Sequence, residues 1–76
     1  MNIMTRWRQP MIHVRFEGRS WHFEAISLGL SARSSDEEVR QALIRHLDLS
    51  AWQLEWYVIE RHPNGNMTIR PEAVFG

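Results

Sequence analysis

The chain has 76 residues, of which 43% are hydrophobic, and its nine arginines balance nine acidic residues to a formal net charge of zero. Neutrality argues against a general nucleic-acid binder, and the absence of cysteine excludes a disulfide framework or a thiolate metal site. The absence of lysine excludes Schiff-base chemistry and lysine-linked self-conjugation. No apolar run reaches the roughly 18 residues of a membrane span, and none follows the first arginines as in a secretory signal. We therefore expect one small, soluble, cytoplasmic domain without membrane contact.

Residues 1–10 show no hydrophobic period, and we expect them to form a flexible N-terminal extension. Trp7 lies between two arginines and could bind a partner, but a frayed terminus explains this segment more simply.

The next segment, residues 11–17, alternates strictly between apolar and polar side chains, as in a half-buried strand. Gly18 and Arg19 fit a two-residue type II′ turn with glycine first, and residues 20–25 return as a second strand. This turn predicts a register that pairs apolar with apolar and polar with polar residues. The predicted pairs are Glu17–Ser20, Phe16–Trp21, Arg15–His22, Val14–Phe23, His13–Glu24 and Ile12–Ala25.

A helix is predicted within residues 34–49. Ser35 and Glu38 have the spacing of a capping box, with Ser34 and Glu37 as a second register. Acidic residues at its start and basic residues near its end suit the helix dipole. One apolar stripe consists of Val39, Ala42, Leu43 and Leu47.

The second half of the chain predicts a short helical turn and two more strands. Ser50 can cap a turn in which Trp52 and Leu54 close the end of the core. Residues 56–61 and 67–70 read as strands joined by a turn with Asn-Gly at its tip. Pro71 is expected to stop pairing or to confine its strand to an edge.

The order hairpin, helix, hairpin predicts an α+β fold with one helix across a four-stranded mixed sheet. We expect a common core of Ile12, Val14, Phe16, Trp21, Phe23, Val39, Leu43, Leu47 and Ile69.

No set of nucleophile, base and orienting residue can be assembled, and the glycines are isolated, so we predict no catalytic residue and no cofactor. His13 and His22 are expected to be diagonal neighbours on one sheet face, where two imidazoles could begin a zinc site. Surface pairs of His13 with Glu24 and of Arg15 with His22 explain them better, so we predict no metal.

A partner surface is predicted on the open side of the sheet. His13, Arg15 and His22 share that face, and one of Trp56 and Tyr57 joins them because adjacent strand residues point to opposite faces. Exposed aromatic residues often mark an interface. Alternatively, the tail or the N-terminal segment folds over the aromatic side chain.

The pattern resembles the ubiquitin-like β-grasp family. The likeness lies in the opening hairpin MIHVRFEGRSWHFEA, the single helix with an acidic, serine-capped start, the arginine-bearing last strand Met67–Arg70, and the short tail ending in Gly76. It implies a β-grasp fold, with a single domain over residues 11–76 that includes a C-terminal tail over residues 71–76.

Members of that family serve as protein modifiers, as sulfur carriers or as plain binding domains. In the first two roles, an activating enzyme adenylates the C-terminal glycine carboxylate and passes it on. The resemblance therefore implies a small ubiquitin-like modifier or carrier, with Gly76 as its reactive end, Arg70 as a docking residue and an activating enzyme as its partner. The alternative is a non-conjugating interaction module that uses its exposed sheet face. In either role, we expect a monomer or weak dimer that binds another protein.

Overall fold

A computed structural model of the protein describes residues 10–72. One α-helix and four strands form the fold, and two short 3₁₀ helices, Ala25–Leu28 and Ala51–Leu54, follow β2 and α1. In chain order the main elements are β1 (Met11–Phe16), β2 (Arg19–Glu24), α1 (Asp36–Leu47), β3 (Tyr57–Arg61) and β4 (Met67–Pro71). The sheet has the order β2-β1-β4-β3. β1 and β4 are parallel, and the two outer pairs are antiparallel. The predicted α+β arrangement of one helix and a four-stranded mixed sheet is confirmed.

The first hairpin forms, but its predicted register is wrong by two residues. Phe16 pairs with Arg19, where the prediction paired it with Trp21. The turn is Glu17–Gly18, and both residues have positive φ, 52° and 77°, as a type I′ turn requires. Because the shift is even, the same side chains still face the core. The cross-strand partners change, however, and the expected pairs of His13 with Glu24 and of Arg15 with His22 do not occur.

The helix begins at its predicted cap. Ser35 Oγ accepts a hydrogen bond from the Glu38 amide, and Glu38 Oε1 accepts one from the Ser35 amide, at 3.1 and 2.7 Å. This reciprocal box satisfies two amides that have no partner within the helix. Asp48, at φ 56°, ends the helix in the left-handed region. Ser50 begins the short helix that leads to β3, as the sequence predicted; its amide donates to Gln53 Oε1 at 2.7 Å, and the Gln53 amide donates to the Ser50 main-chain carbonyl at 3.0 Å.

The core lies between α1 and one face of the sheet. The fully buried side chains are Ile12, Val14, Phe16, Ala25, Val39, Ala42, Leu43, Leu54, Met67 and Ile69. Six of the nine expected core residues are among them. Trp21, Phe23 and Leu47 are only half-buried and pack against the margin of the core. Trp52, expected to close the core with Leu54, is 72% exposed.

Pro71 belongs to β4 and lies opposite Tyr57. β4 lies between β1 and β3, so the proline does not mark an edge. Pairing also continues past it, because the Glu72 amide donates to the Trp56 carbonyl at 2.9 Å. Pairing of β4 with β1 ends at Ile69, before the proline, but pairing with β3 continues through Pro71. The expectation that Pro71 confines β4 to an edge is therefore wrong, and the sheet extends into the segment expected to be a tail.

Arg61 connects the end of β3 with the loop that leads into the helix. Its guanidinium donates to the carbonyls of Ala32 and Ser34 and pairs with Asp36, at 3.2, 2.7 and 2.7 Å. Within residues 10–72, no helix is long and apolar enough to cross a membrane.

We expect Leu43→Ala to lower the free energy of unfolding by about 2–5 kcal/mol, because it leaves a cavity between α1 and the sheet. Leu43 is fully buried. Ile26→Ala is the matched control, since the Ile26 side chain is 64% exposed and its truncation should be nearly neutral. Chemical denaturation of the two variants measures the difference. Equal stability of both variants would show that the helix face is wrongly assigned.

We expect Glu17→Asn to raise the free energy of unfolding by roughly 0.5–1 kcal/mol. A left-handed backbone disfavours glutamate, whereas asparagine tolerates it and is preferred at the first position of a type I′ turn. The matched control is Arg19→Asn, which changes a strand residue beside the turn and should not stabilise the protein. A lower denaturation midpoint for Glu17→Asn than for Arg19→Asn would contradict the observed turn.

Candidate interaction surface

The second face of the sheet carries most of the polar residues of the strands; Arg19 and Arg61 lie on the helix side by register. Strand residues alternate between the two faces, and those on the helix side form the core. We call the other surface the open face. It consists of Met11, His13, Arg15, Ser20, His22, Glu24, Val58, Glu60, Thr68 and Arg70.

Four of the predicted partner-binding residues come together on this open face, namely His13, Arg15, His22 and Arg70. They lie on three adjacent strands, β2, β1 and β4. Alternate side chains along a strand point to opposite faces, and the sequence shows this alternation directly, so it is enough to place these residues on the side away from the core. Their grouping gives the candidate site a continuous surface across the centre of the sheet.

The two predicted aromatic residues lie elsewhere. Tyr57 is on the helix side, half-buried, with its ring centroid 5.6 Å from that of Phe16. Trp56 precedes β3 and is 71% exposed. Of this pair, Trp56 is therefore the side chain available to a partner. Gly76 and Trp7 lie outside the described residues.

Histidines occupy the middle of the open face. His13 and His22 are directly opposite each other, and their ring centroids are 4.2 Å apart with a tilt of 37°. Thr68 neighbours His13 on β4, and its hydroxyl lies 2.8 Å from His62 Nε2. The sequence analysis placed His62 in a turn and did not assign it to this surface. Side chains alternate between the two faces along β3, and extending this alternation by one residue past Arg61 places His62 on the open face.

Arginines gather at the end of the open face beside the β1–β2 turn. Arg15 and Arg70 follow the paired residues Val14 and Ile69, so they are neighbours across β1 and β4. Arg70 Nε lies 3.3 Å from Glu60 Oε1, whereas exposed Arg15 makes no ion pair within residues 10–72. Both arginines are among the residues that line an open cavity of about 420 Å³. Arg15 is thus the cation on this face that is best placed to meet an external anion.

Two exposed tryptophans lie at the same end of the molecule. Trp52 and Trp56 border a cavity of about 380 Å³ together with Phe16 and Tyr57. The Trp56 carbonyl accepts a hydrogen bond from the Glu72 amide, so this aromatic pair adjoins the last described residue of the chain. Trp52 was expected to close the end of the core with Leu54, but its side chain is exposed.

Comparison with known proteins does not assign this surface. No family model, curated protein or solved structure matches the chain. Its function must therefore be inferred from the geometry and chemistry of its own residues.

Proposed function

We propose that the chain is a β-grasp protein that binds another protein through the open face of its sheet. Its single helix, its mixed four-stranded sheet and the central parallel pair β1–β4 support the β-grasp assignment. The observation that carries the proposal is the asymmetry of the sheet. One face supplies the strand residues of the core, and the other presents imidazole and guanidinium groups on adjacent strands.

The charges of the open face favour a protein partner over nucleic acid. Arg15 and Arg70 share the face with Glu24 and Glu60, and Glu60 already pairs with Arg70. Binding along a phosphate backbone relies on a concentrated positive field, which these carboxylates oppose. A protein surface can match charges of both signs at close range.

The partner is expected to present a carboxylate to Arg15. A guanidinium group binds a carboxylate through two parallel hydrogen bonds, and such pairs are stronger than neutral hydrogen bonds. The neighbouring imidazoles of His13 and His22 can donate, accept or stack. Trp56 lies just before β3, outside the open face, and would extend the contact with a large exposed ring of the kind enriched at binding hot spots.

We expect the double variant Arg15→Ala/Trp56→Ala to bind its partner at least tenfold more weakly without loss of stability. Truncating residues that a partner covers removes about 1–2 kcal/mol or more each, and both side chains are exposed in the free protein. The measurement begins with photo-crosslinking from position 22 on the open face, followed by identification of the partner and titration with purified proteins.

The matched controls are Arg33→Ala, in an exposed loop, and a crosslinker at Gln41, on the exposed side of α1. Crosslinks that form at position 41 but not at position 22 would move the interface to the helix. Unchanged affinity of the double variant would exclude Arg15 and Trp56 from the contact.

A second candidate function is that of a modifier or carrier activated at Gly76. The observation that favours it is the position of Glu72, the last described residue, beside the exposed Trp56. β4 lies inside the sheet, and the segment after it starts at Glu72, which is held to Trp56, with Arg70 close by. In this role the Gly76 carboxylate attacks the α-phosphate of ATP and displaces pyrophosphate, which requires an unhindered glycine on an arm that reaches an enzyme's site.

We expect deletion of Gly76 to abolish covalent attachment of the chain to other proteins in a native lysate supplied with ATP. Without the glycine, the new terminal carboxylate belongs to bulky Phe75 and is hindered from attacking ATP. Glu72→Gln, which changes a charge but keeps the terminus, should still form adducts. Intact-mass spectrometry detects them, and adducts that persist without Gly76, or that are missing for the unaltered chain, would contradict the carrier role.

A further inference from the structure

The register of the first hairpin creates a contact between two imidazoles. Phe16 and Arg19 flank the two-residue turn and therefore form a hydrogen-bonded pair. Pair types alternate along an antiparallel ladder, so His13 and His22, three steps from the turn, form a non-hydrogen-bonded pair. In such pairs the Cα atoms are only about 4.5 Å apart and the side chains are closest.

Both imidazole rings are accessible to solvent, and they lie in contact with each other. His22 is exposed and His13 is half-buried, with 4.2 Å between the ring centroids. Within residues 10–72, neither ring makes a side-chain hydrogen bond or an ion pair. The other histidines differ: His62 hydrogen-bonds Thr68, and His46 packs edge-on against Phe23 at 4.8 Å. Lone pairs of His13 and His22 are therefore available to an external ligand.

We propose that His13 and His22 together chelate one divalent transition-metal ion and prefer Cu²⁺ to Ni²⁺ and Zn²⁺. Metal–imidazole bonds are about 2.0–2.1 Å long, so two nitrogens on one ion are separated by roughly 3 Å. Rings in direct contact on fixed strands reach that separation by side-chain rotation alone. Imidazole suits copper, nickel and zinc, and affinity for a given set of nitrogen ligands is greatest for copper.

The protein supplies two ligands to the metal ion in the proposed site, and the remaining coordination positions face solvent. Within residues 10–72, no group of three histidine, cysteine or acidic side chains is arranged to hold a metal. Water completes the coordination, which fits the tetragonal geometry that Cu²⁺ adopts with nitrogen and oxygen ligands. This ion bridges β1 and β2 and is exchangeable, unlike a closed structural zinc site with four protein ligands.

Titration of the full-length, N-terminally acetylated chain with Cu²⁺ tests the proposal, because acetylation removes the α-amine as a competing ligand. We expect one equivalent to bind with micromolar affinity by calorimetry, an electron paramagnetic resonance spectrum showing two nitrogen ligands, and a raised melting temperature. His13→Asn and His22→Asn should each weaken binding at least tenfold and remove the thermal shift. His46→Asn and His62→Asn should keep the affinity within about twofold.

Circular dichroism and melting without copper establish that each variant folds. Three results would overturn the proposal: a copper affinity of the His13 and His22 variants equal to that of the unaltered chain, binding only at millimolar copper, or a spectrum showing one nitrogen ligand. A loss of affinity that occurs equally in the His62 variant would place the site elsewhere on the sheet.

Discussion

The fold depends on the parallel pairing of β1 with β4. It joins the two ends of the described chain, since the Met11 amide donates to the side chain of Asn66, 55 residues away. Each hairpin alone is a two-stranded ribbon, which is marginal in water. Their union makes a sheet wide enough for α1 to cover, and the central strands supply Ile12, Val14, Met67 and Ile69 to the core. Because this contact is distant in sequence, its formation bears most of the loop-closure entropy of folding.

The same pairing determines the composition of the open face. Alternate residues of the central strands are buried in the core, so the residues between them must lie on the other face of the sheet. These residues are His13, Arg15, Thr68 and Arg70. The imidazoles and guanidinium groups therefore lie side by side on the backbone that also holds the core. A surface built on paired strands is more rigid than one built on loops, which lowers the entropy lost when a partner or an ion binds.

Local signals were sufficient for most of the fold. The capping box, the apolar stripe and the strand alternation depend on neighbouring residues, and each predicted its element and the face it buries. Alternation along the first hairpin placed His13, Arg15 and His22 on one face, whereas Arg70 joins them only through the pairing of β1 with β4. The register was harder, because glycine is accepted in both type I′ and type II′ turns, and the positive φ of Glu17 leaves no trace in sequence. The His13–His22 contact depends on that register, so alternation could not predict it. The adjacency of β1 and β4, and the exposure of Trp52, depend on packing between distant segments, which no local pattern encodes.

The three-way contact of Arg61 has a consequence for local opening of the structure. One guanidinium holds two carbonyls of the loop and the first helical residue at the same time, so the end of β3 and the start of α1 share a restraint. Lysine, with its donors on a single nitrogen, cannot spread over these acceptors in a planar fork. Slow hydrogen exchange should therefore be correlated between the last amides of β3 and the first turn of the helix, as in one cooperative unit that opens together. The exposed pair itself contributes little to global stability, but it ties the end of β3 to the loop before α1 and to the first residue of that helix.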